Sequence, residues 1–97
     1  MSEETDILRV ITENAPDLAR RFGARRLAVF GSAVRGRLAP DSDIDVLVDF
    51  ARPSFDDYMD LKFALEDLTG RTVDLVMVRA LKPRLRERIL SEARDVA

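Results

Sequence analysis

Residues 30–49 read FGSAVRGRLAPDSDIDVLVD, and the rest of the chain is organised around them. Gly31 and Ser32 follow a short apolar run, and a glycine at that point lets backbone N–H groups come close to a ligand. We expect residues 33–37 to form a helical turn, whose unpaired N–H groups would favour an anion above Gly31 and Ser32. The first half of the stretch therefore predicts a phosphate-binding loop.

The second half of the stretch carries two acids one residue apart. Asp43 and Asp45 alternate with apolar residues, so a strand would place both carboxylates on one face, with Cα atoms roughly 6.6 Å apart. Carboxylates at this spacing can converge on two divalent ions about 3.5–4 Å apart, as in displacement reactions at phosphorus. Ligands that are all oxygen favour Mg²⁺ or Mn²⁺.

Three other motifs use similar residues. A P-loop needs Ser or Thr at position 38 to hold magnesium, and Leu38 cannot do this. An EF-hand that began at Asp41 would need Gly and Glu where the chain has Val46 and Arg52. Glycosyltransferases also use Asp-x-Asp, but their catalytic domains are ordinarily much longer than 97 residues.

The composition is that of a globular domain, with 97 residues, 46% apolar and 35% charged. We expect residues 1–97 to form one domain with its own core. The chain has no cysteine and no histidine, which excludes disulfides, thiolate chemistry and His-ligated zinc. Any catalysis must use carboxylates, hydroxyls, Lys or Arg.

The charge is distributed unevenly. Residues 20–37 hold six arginines and no acid, whereas residues 38–67 hold nine acids and two basic residues. The net charge of −2 argues against direct nucleic-acid binding. An acidic N-terminus and the lack of an apolar run of about 18 residues predict a cytoplasmic protein without a membrane segment.

Periodicity and turn residues predict an α/β fold, with a small mixed sheet of at least three strands and helices packed on it. The predicted elements are a helix over 3–13, a second helical piece from Pro16 to Phe22, strands at Arg25–Phe30 and Asp43–Phe50, a helix from the N-cap Ser54 to Gly70, a strand at Arg71–Val78, and a last helix from Pro83 with Ala93 and Val96 on its apolar face.

Asp74 is the one acid of the third predicted strand. Alternation places it on the face opposite Val73 and Leu75. The pattern alone leaves two interpretations open: a strand residue in contact with water, or a third member of the carboxylate cluster.

The glycine turn and the acidic strand together resemble the motif of the nucleotidyltransferase superfamily that includes DNA polymerase beta. Phe30-Gly31-Ser32 is followed, after ten residues, by Asp43-Ile44-Asp45-Val46. The longer pattern, which also includes Arg35, Gly36 and Ser42, is similar to the minimal nucleotidyltransferases of prokaryotes, called MNT domains.

This resemblance implies the nucleotidyltransferase fold and a role for each matched residue. It implies that Asp74 is the superfamily's third carboxylate, and that two Mg²⁺ ions, or Mn²⁺, assist the reaction. The implied catalytic and metal-binding residues are Asp43, Asp45 and Asp74. The implied nucleotide-binding residues are Gly31, Ser32, Arg35 and Ser42.

MNT proteins are encoded beside HEPN-domain toxins and neutralise them by transferring AMP from ATP to a toxin tyrosine, so the resemblance implies an antitoxin enzyme with a HEPN toxin as partner. Because one short domain leaves little room for a substrate-binding half, we expect a partner to supply the acceptor. Two alternatives stay open: a nucleotidyltransferase that acts on a small-molecule hydroxyl, and a non-catalytic module that inhibits its partner by binding alone.

Overall fold

The computed structural model describes residues 3–36, 39 and 41–97. Helices and strands are interspersed along the chain, which confirms the predicted α/β class. The elements are α1 Glu3–Phe22, β1 Ala24–Phe30, α2 Ser32–Arg35, β2 Ile44–Phe50, α3 Phe55–Thr69, β3 Val73–Met77, α4 Pro83–Glu92 and β4 Arg94–Asp95. A short 3₁₀ turn, Val78–Ala80, connects β3 to α4.

The four strands form one mixed sheet in the order β3-β2-β1-β4. Strand β1 is antiparallel to β2 and β4, and β2 is parallel to β3. This confirms the predicted small mixed sheet. Within the described ranges, no helix is long and apolar enough to cross a membrane.

Helices α1 and α3 pack together over one face of the sheet. Strand β2 faces them with alternate residues, which are buried because the side chains of a strand point to opposite faces in turn. These residues are Ile44, Val46, Val48 and Phe50, each at most 1% exposed. The helices contribute Ile7, Ile11, Ala15, Leu18, Leu61 and Leu65 to the same cluster.

Helix α1 is continuous through Pro16, whereas the sequence predicted two helical pieces. A proline inside a helix costs about 3 kcal/mol because it removes a backbone hydrogen bond and crowds the preceding turn. The apolar stripe nevertheless continues across it, since Ala15 is fully buried and Leu18 is 5% exposed. We infer that burial of this stripe offsets the cost, so that tertiary packing decides the helix length.

The end of the chain also differs from the prediction. Helix α4 begins at Pro83 as expected but ends at Glu92, and the next residues form β4 instead of a further helical turn. The Val96 N–H donates to the Leu27 carbonyl oxygen at 2.9 Å, and the Val96 side chain is 9% exposed. Strand β4 thereby satisfies backbone groups of β1 that would otherwise lie along an open edge.

Candidate active site

The turn after β1 is built around Gly31, which has φ +71° and ψ −143°. This is a conformation that residues with a side chain rarely adopt. A Cβ at this position would also overlap the Asp45 Oδ2 atom and lie 3.2 Å from Asp45 Cγ. The backbone conformation therefore favours glycine, and a larger residue would in addition force the Asp45 carboxylate to shift.

Helix α2 follows the turn directly. The N–H groups of Val34 and Arg35 each donate to the Gly31 carbonyl oxygen at 3.2 Å. The helix begins at Ser32, one residue before the predicted start, and ends at Arg35, after which Gly36 adopts a left-handed conformation. Arg37, the predicted end of the turn, lies outside the described residues.

The sheet brings three of the predicted acids together. Asp45 and Asp74 are direct neighbours in the parallel register of β2 and β3, and Asp43 lies one residue before β2. Burial raises the pKa of Asp45 above its ordinary value, and the negative charges of Asp74 and Asp43 raise it further. The carboxylates are therefore close enough to repel one another.

Two charged residues from elsewhere in the chain also act on Asp45. The Arg35 guanidinium lowers the pKa of Asp45, and the Glu92 carboxylate raises it. Among the described residues whose charges act on Asp45, one is positive and three are negative. Such an excess of negative charge favours a cation.

Within residues 3–36, 39 and 41–97, no three acids already converge on a point where a metal ion could sit. The donor chemistry nevertheless fits a divalent ion of the Mg²⁺ or Mn²⁺ type, because Asp43, Asp45 and Asp74 all offer carboxylate oxygens.

Helix α3 fixes the position of β3, which lies at the edge of the sheet. The Val73 N–H donates to Glu66 Oε2 at 3.0 Å, and the Tyr58 hydroxyl donates to the Leu75 carbonyl oxygen at 2.6 Å. These contacts hold the backbone on both sides of Asp74. Tyr58 is partly buried against the core, and it also anchors this strand.

Ser42 belongs to a loop that is held by Arg71. The Ser42 hydroxyl accepts a hydrogen bond from the Ala39 N–H at 3.2 Å. Arg71 Nη1 donates to the carbonyl oxygens of Ala39 at 2.7 Å and Ser42 at 3.0 Å. These contacts stabilise the backbone that leads into Asp43, beside an open cleft of about 200 Å³.

The contribution of Arg71 was not predicted, because nothing in its local sequence pattern marks it. Residues 37, 38 and 40, which precede Ser42, lie outside the described residues. The proposed contact of Ser42 with phosphate stays a prediction.

Glu92 is a second residue that the sequence analysis missed. Its Oε1 atom accepts a hydrogen bond from the Gly31 N–H at 3.3 Å, and its Oε2 atom lies 3.4 Å from Arg35 Nη1. Its position in the last turn of α4, where the helix dipole disfavours an acid, became apparent only in the structure, because the sequence predicted a helix that continues to Val96. The site therefore combines the predicted turn and acids with a carboxylate from the distant C-terminal helix.

Comparison with known proteins assigns the fold. The profile of the nucleotidyltransferase domain family matches residues 11–96. A solved structure described as a candidate minimal nucleotidyltransferase superposes with a TM-score of 0.82, at 48% identity over 96% of this chain and 94% of that one. The chain therefore belongs to the nucleotidyltransferase domain family, which confirms the resemblance inferred from the sequence.

Two further similar proteins are a protein adenylyltransferase and a toxin–antitoxin complex. The protein adenylyltransferase MntA of Thermococcus cleftensis is 43% identical over 88 residues, 90% of this chain and 89% of that protein. A complex of tri-AMPylated Shewanella oneidensis HEPN toxin with its MNT antitoxin shares the fold at 21% identity and a TM-score of 0.57, over 98% of this chain and 69% of that one.

Proposed function

We propose that this chain is an antitoxin enzyme that transfers AMP from ATP to a tyrosine hydroxyl of a partner HEPN toxin. The likeness to MntA over most of both chains supports the adenylyl transfer. The AMPylated HEPN toxin in the Shewanella complex is the basis for the kind of partner. The choice of a tyrosine follows from the resemblance to MNT proteins. In this proposal residues 1–97 act as one nucleotidyltransferase domain.

The observation that carries the proposal is the position of Asp45. It is the direct neighbour of Asp74 across the sheet, and its carboxylate lies against the Gly31 backbone. A phosphate above the Gly-Ser turn would therefore lie beside paired carboxylates. Phosphoryl transfer depends mainly on such positioning and on stabilisation of charge.

In the reaction, the acceptor hydroxyl oxygen attacks the α-phosphorus of ATP. A new oxygen–phosphorus bond forms, the bond from the α-phosphorus to the bridging oxygen breaks, and pyrophosphate leaves. Asp74 takes the hydroxyl proton as general base. Gly31 and Ser32 bind the β- and γ-phosphates, and Arg35 and Ser42 assist them.

Asp43, Asp45 and Asp74 would hold two Mg²⁺ ions, or Mn²⁺. When bound, such ions neutralise charge on the triphosphate and activate the attacking hydroxyl. The pKa of Asp45 is already raised by burial and by its acidic neighbours, so a cation would relieve a repulsion that exists in the folded chain.

The test is to incubate the protein with ATP, Mg²⁺ and the product of the adjacent gene, and to measure the intact mass of that product. We expect additions of AMP, on a tyrosine identified by peptide mapping. With excess chelator the mass should not change. A matched reaction with GTP would define the preference for the nucleobase.

Each alternative function gives a different result. A product that stays unmodified and is nevertheless inhibited would support a non-catalytic binding module. AMP transfer to free small molecules, with the protein product untouched, would support a small-molecule nucleotidyltransferase. Transfer that persists in excess chelator would contradict the role of metal ions.

A further inference from the structure

The Glu92 carboxylate connects α4 to the Gly-Ser turn. One of its oxygens accepts from the Gly31 N–H at 3.3 Å, and the other lies 3.4 Å from Arg35 Nη1. A backbone N–H and a guanidinium are the donors that commonly bind phosphate oxygens. Under the proposed function, Glu92 therefore contacts two groups that the nucleotide also needs.

Both contacts are of a kind that exchanges readily. Charge-assisted hydrogen bonds are typically about 2.7–2.9 Å long, so contacts of 3.3 and 3.4 Å are weak. The side chains are also open to solvent, with Arg35 47% and Glu92 29% exposed. Ion pairs in such surroundings contribute little to stability.

The position of Glu92 has an electrostatic cost. A negative charge in the last turn of a helix opposes the helix dipole. The same charge adds to the repulsion that Asp74 and Asp43 already exert on Asp45. A triphosphate that approaches this site must overcome the negative charge of Glu92 as well as that of the three aspartates.

We propose that Glu92 is an internal competitor of the nucleotide phosphates: it holds the Gly31 N–H and Arg35 in the nucleotide-free protein and releases them to the triphosphate. Glu92 is thus a positioning residue that acts through Arg35 and sets the affinity for ATP. This inference rests on the proposed function, because it assumes that ATP binds over the Gly-Ser turn.

The test is Glu92→Gln, which keeps the shape and an amide oxygen for the Gly31 N–H but removes the charge. Affinity for ATP, measured by calorimetry at fixed Mg²⁺, should rise about three- to tenfold, as expected for one partly exposed charge. Affinity for AMP, which lacks the β- and γ-phosphates, should change by less than about twofold. This dependence on phosphate number is one that a purely structural role would not produce.

Two controls define the effect. Glu87→Gln removes a charge from an exposed position on the same helix and should leave ATP affinity within about twofold of wild type. In an Arg35→Ala background, Glu92→Gln should lose most of its effect, because coupled residues give non-additive changes.

The outcomes separate this inference from the proposed function. If wild-type protein binds ATP but Glu92→Gln binds it equally or more weakly, the competitor role is wrong. Equal weakening of ATP and AMP binding, with a lower unfolding temperature, would instead show that Glu92 only supports the turn. If wild-type protein binds no ATP, the proposed function and this inference both fail.

Discussion

The two faces of strand β2 show how one short segment can serve both stability and chemistry. On one face Ile44, Val46 and Val48 are buried against helices α1 and α3. On the other face Asp45 and Asp49 are partly exposed, with buried Leu47 between them. Because alternate side chains point to opposite sides, a rigid apolar face can position charges on the other side that would repel one another in a flexible loop.

If one face of β2 serves stability and the other serves chemistry, Asp45→Asn should have the largest effect on activity. The loss of one carboxylate should slow AMP transfer by about 10³-fold, because stabilisation of transition-state charge is lost. Single-turnover rates would measure this change, and circular dichroism should show an unchanged fold.

The matched control for this variant is Asp49→Asn on the same face. Asp49 pairs with Arg25 at 3.2 Å and takes no part in the proposed site. Its substitution should leave the rate within about twofold of wild type, because Asp49 lies outside the site. The fold should also persist, since an exposed ion pair contributes at most about 1 kcal/mol to stability. Near-normal turnover by Asp45→Asn would contradict the proposed mechanism.

Leu61→Ala should change stability and not chemistry. Leu61 is fully buried on the apolar side, so its truncation should reduce the free energy of unfolding by about 2–5 kcal/mol. Urea denaturation measures this loss, and the rate per folded molecule should be retained.

Phe63→Ala on the same helix is the control, because Phe63 is 51% exposed. We expect a change below about 1 kcal/mol for this surface position. Comparable destabilisation by the two substitutions would mean that the helix is not anchored through Leu61.

The smallest predicted effect is a dependence of stability on pH. The pKa of Asp45 is raised from its ordinary value of 3.8, so the folded state binds this proton more tightly than the unfolded chain does. Ionised Asp45 therefore destabilises the fold at neutral pH, and the penalty disappears as pH falls through the raised pKa.

In metal-free buffer, Asp45→Asn should thus be slightly more stable than wild type at pH 7, by less than about 1 kcal/mol because solvent screens this partly exposed carboxylate. The difference should shrink towards pH 4. Urea denaturation at both pH values measures it, and a difference that grows on acidification would have the wrong sign.

Local pattern was sufficient to predict several elements. Gly31, Ser32 and the alternation from Asp43 to Val48 predicted the turn and the acidic strand at the centre of the fold. Ser54 caps α3 as its position predicted, since its hydroxyl accepts from the Asp57 N–H at 3.0 Å. These features depend on neighbours within a few residues, which is why the sequence indicates them directly.

Predictions failed where distant parts of the chain meet. Pro16 was expected to interrupt the first helix, but burial of the surrounding stripe keeps α1 continuous. Val96 was assigned to a helix, but residues 94–97 pair with β1 because that strand has an open edge. In both places long-range contacts outweigh local preference.

The sequence by itself determined the chemical groups of this protein: a glycine turn, closely spaced carboxylates, and no cysteine or histidine. Only the tertiary structure decided that Asp74 lies directly beside Asp45 and that Glu92 reaches the Gly31 N–H. The reason is physical. Spacing along a strand fixes which side chains share a face, whereas strand order and helix packing fix which distant residues meet.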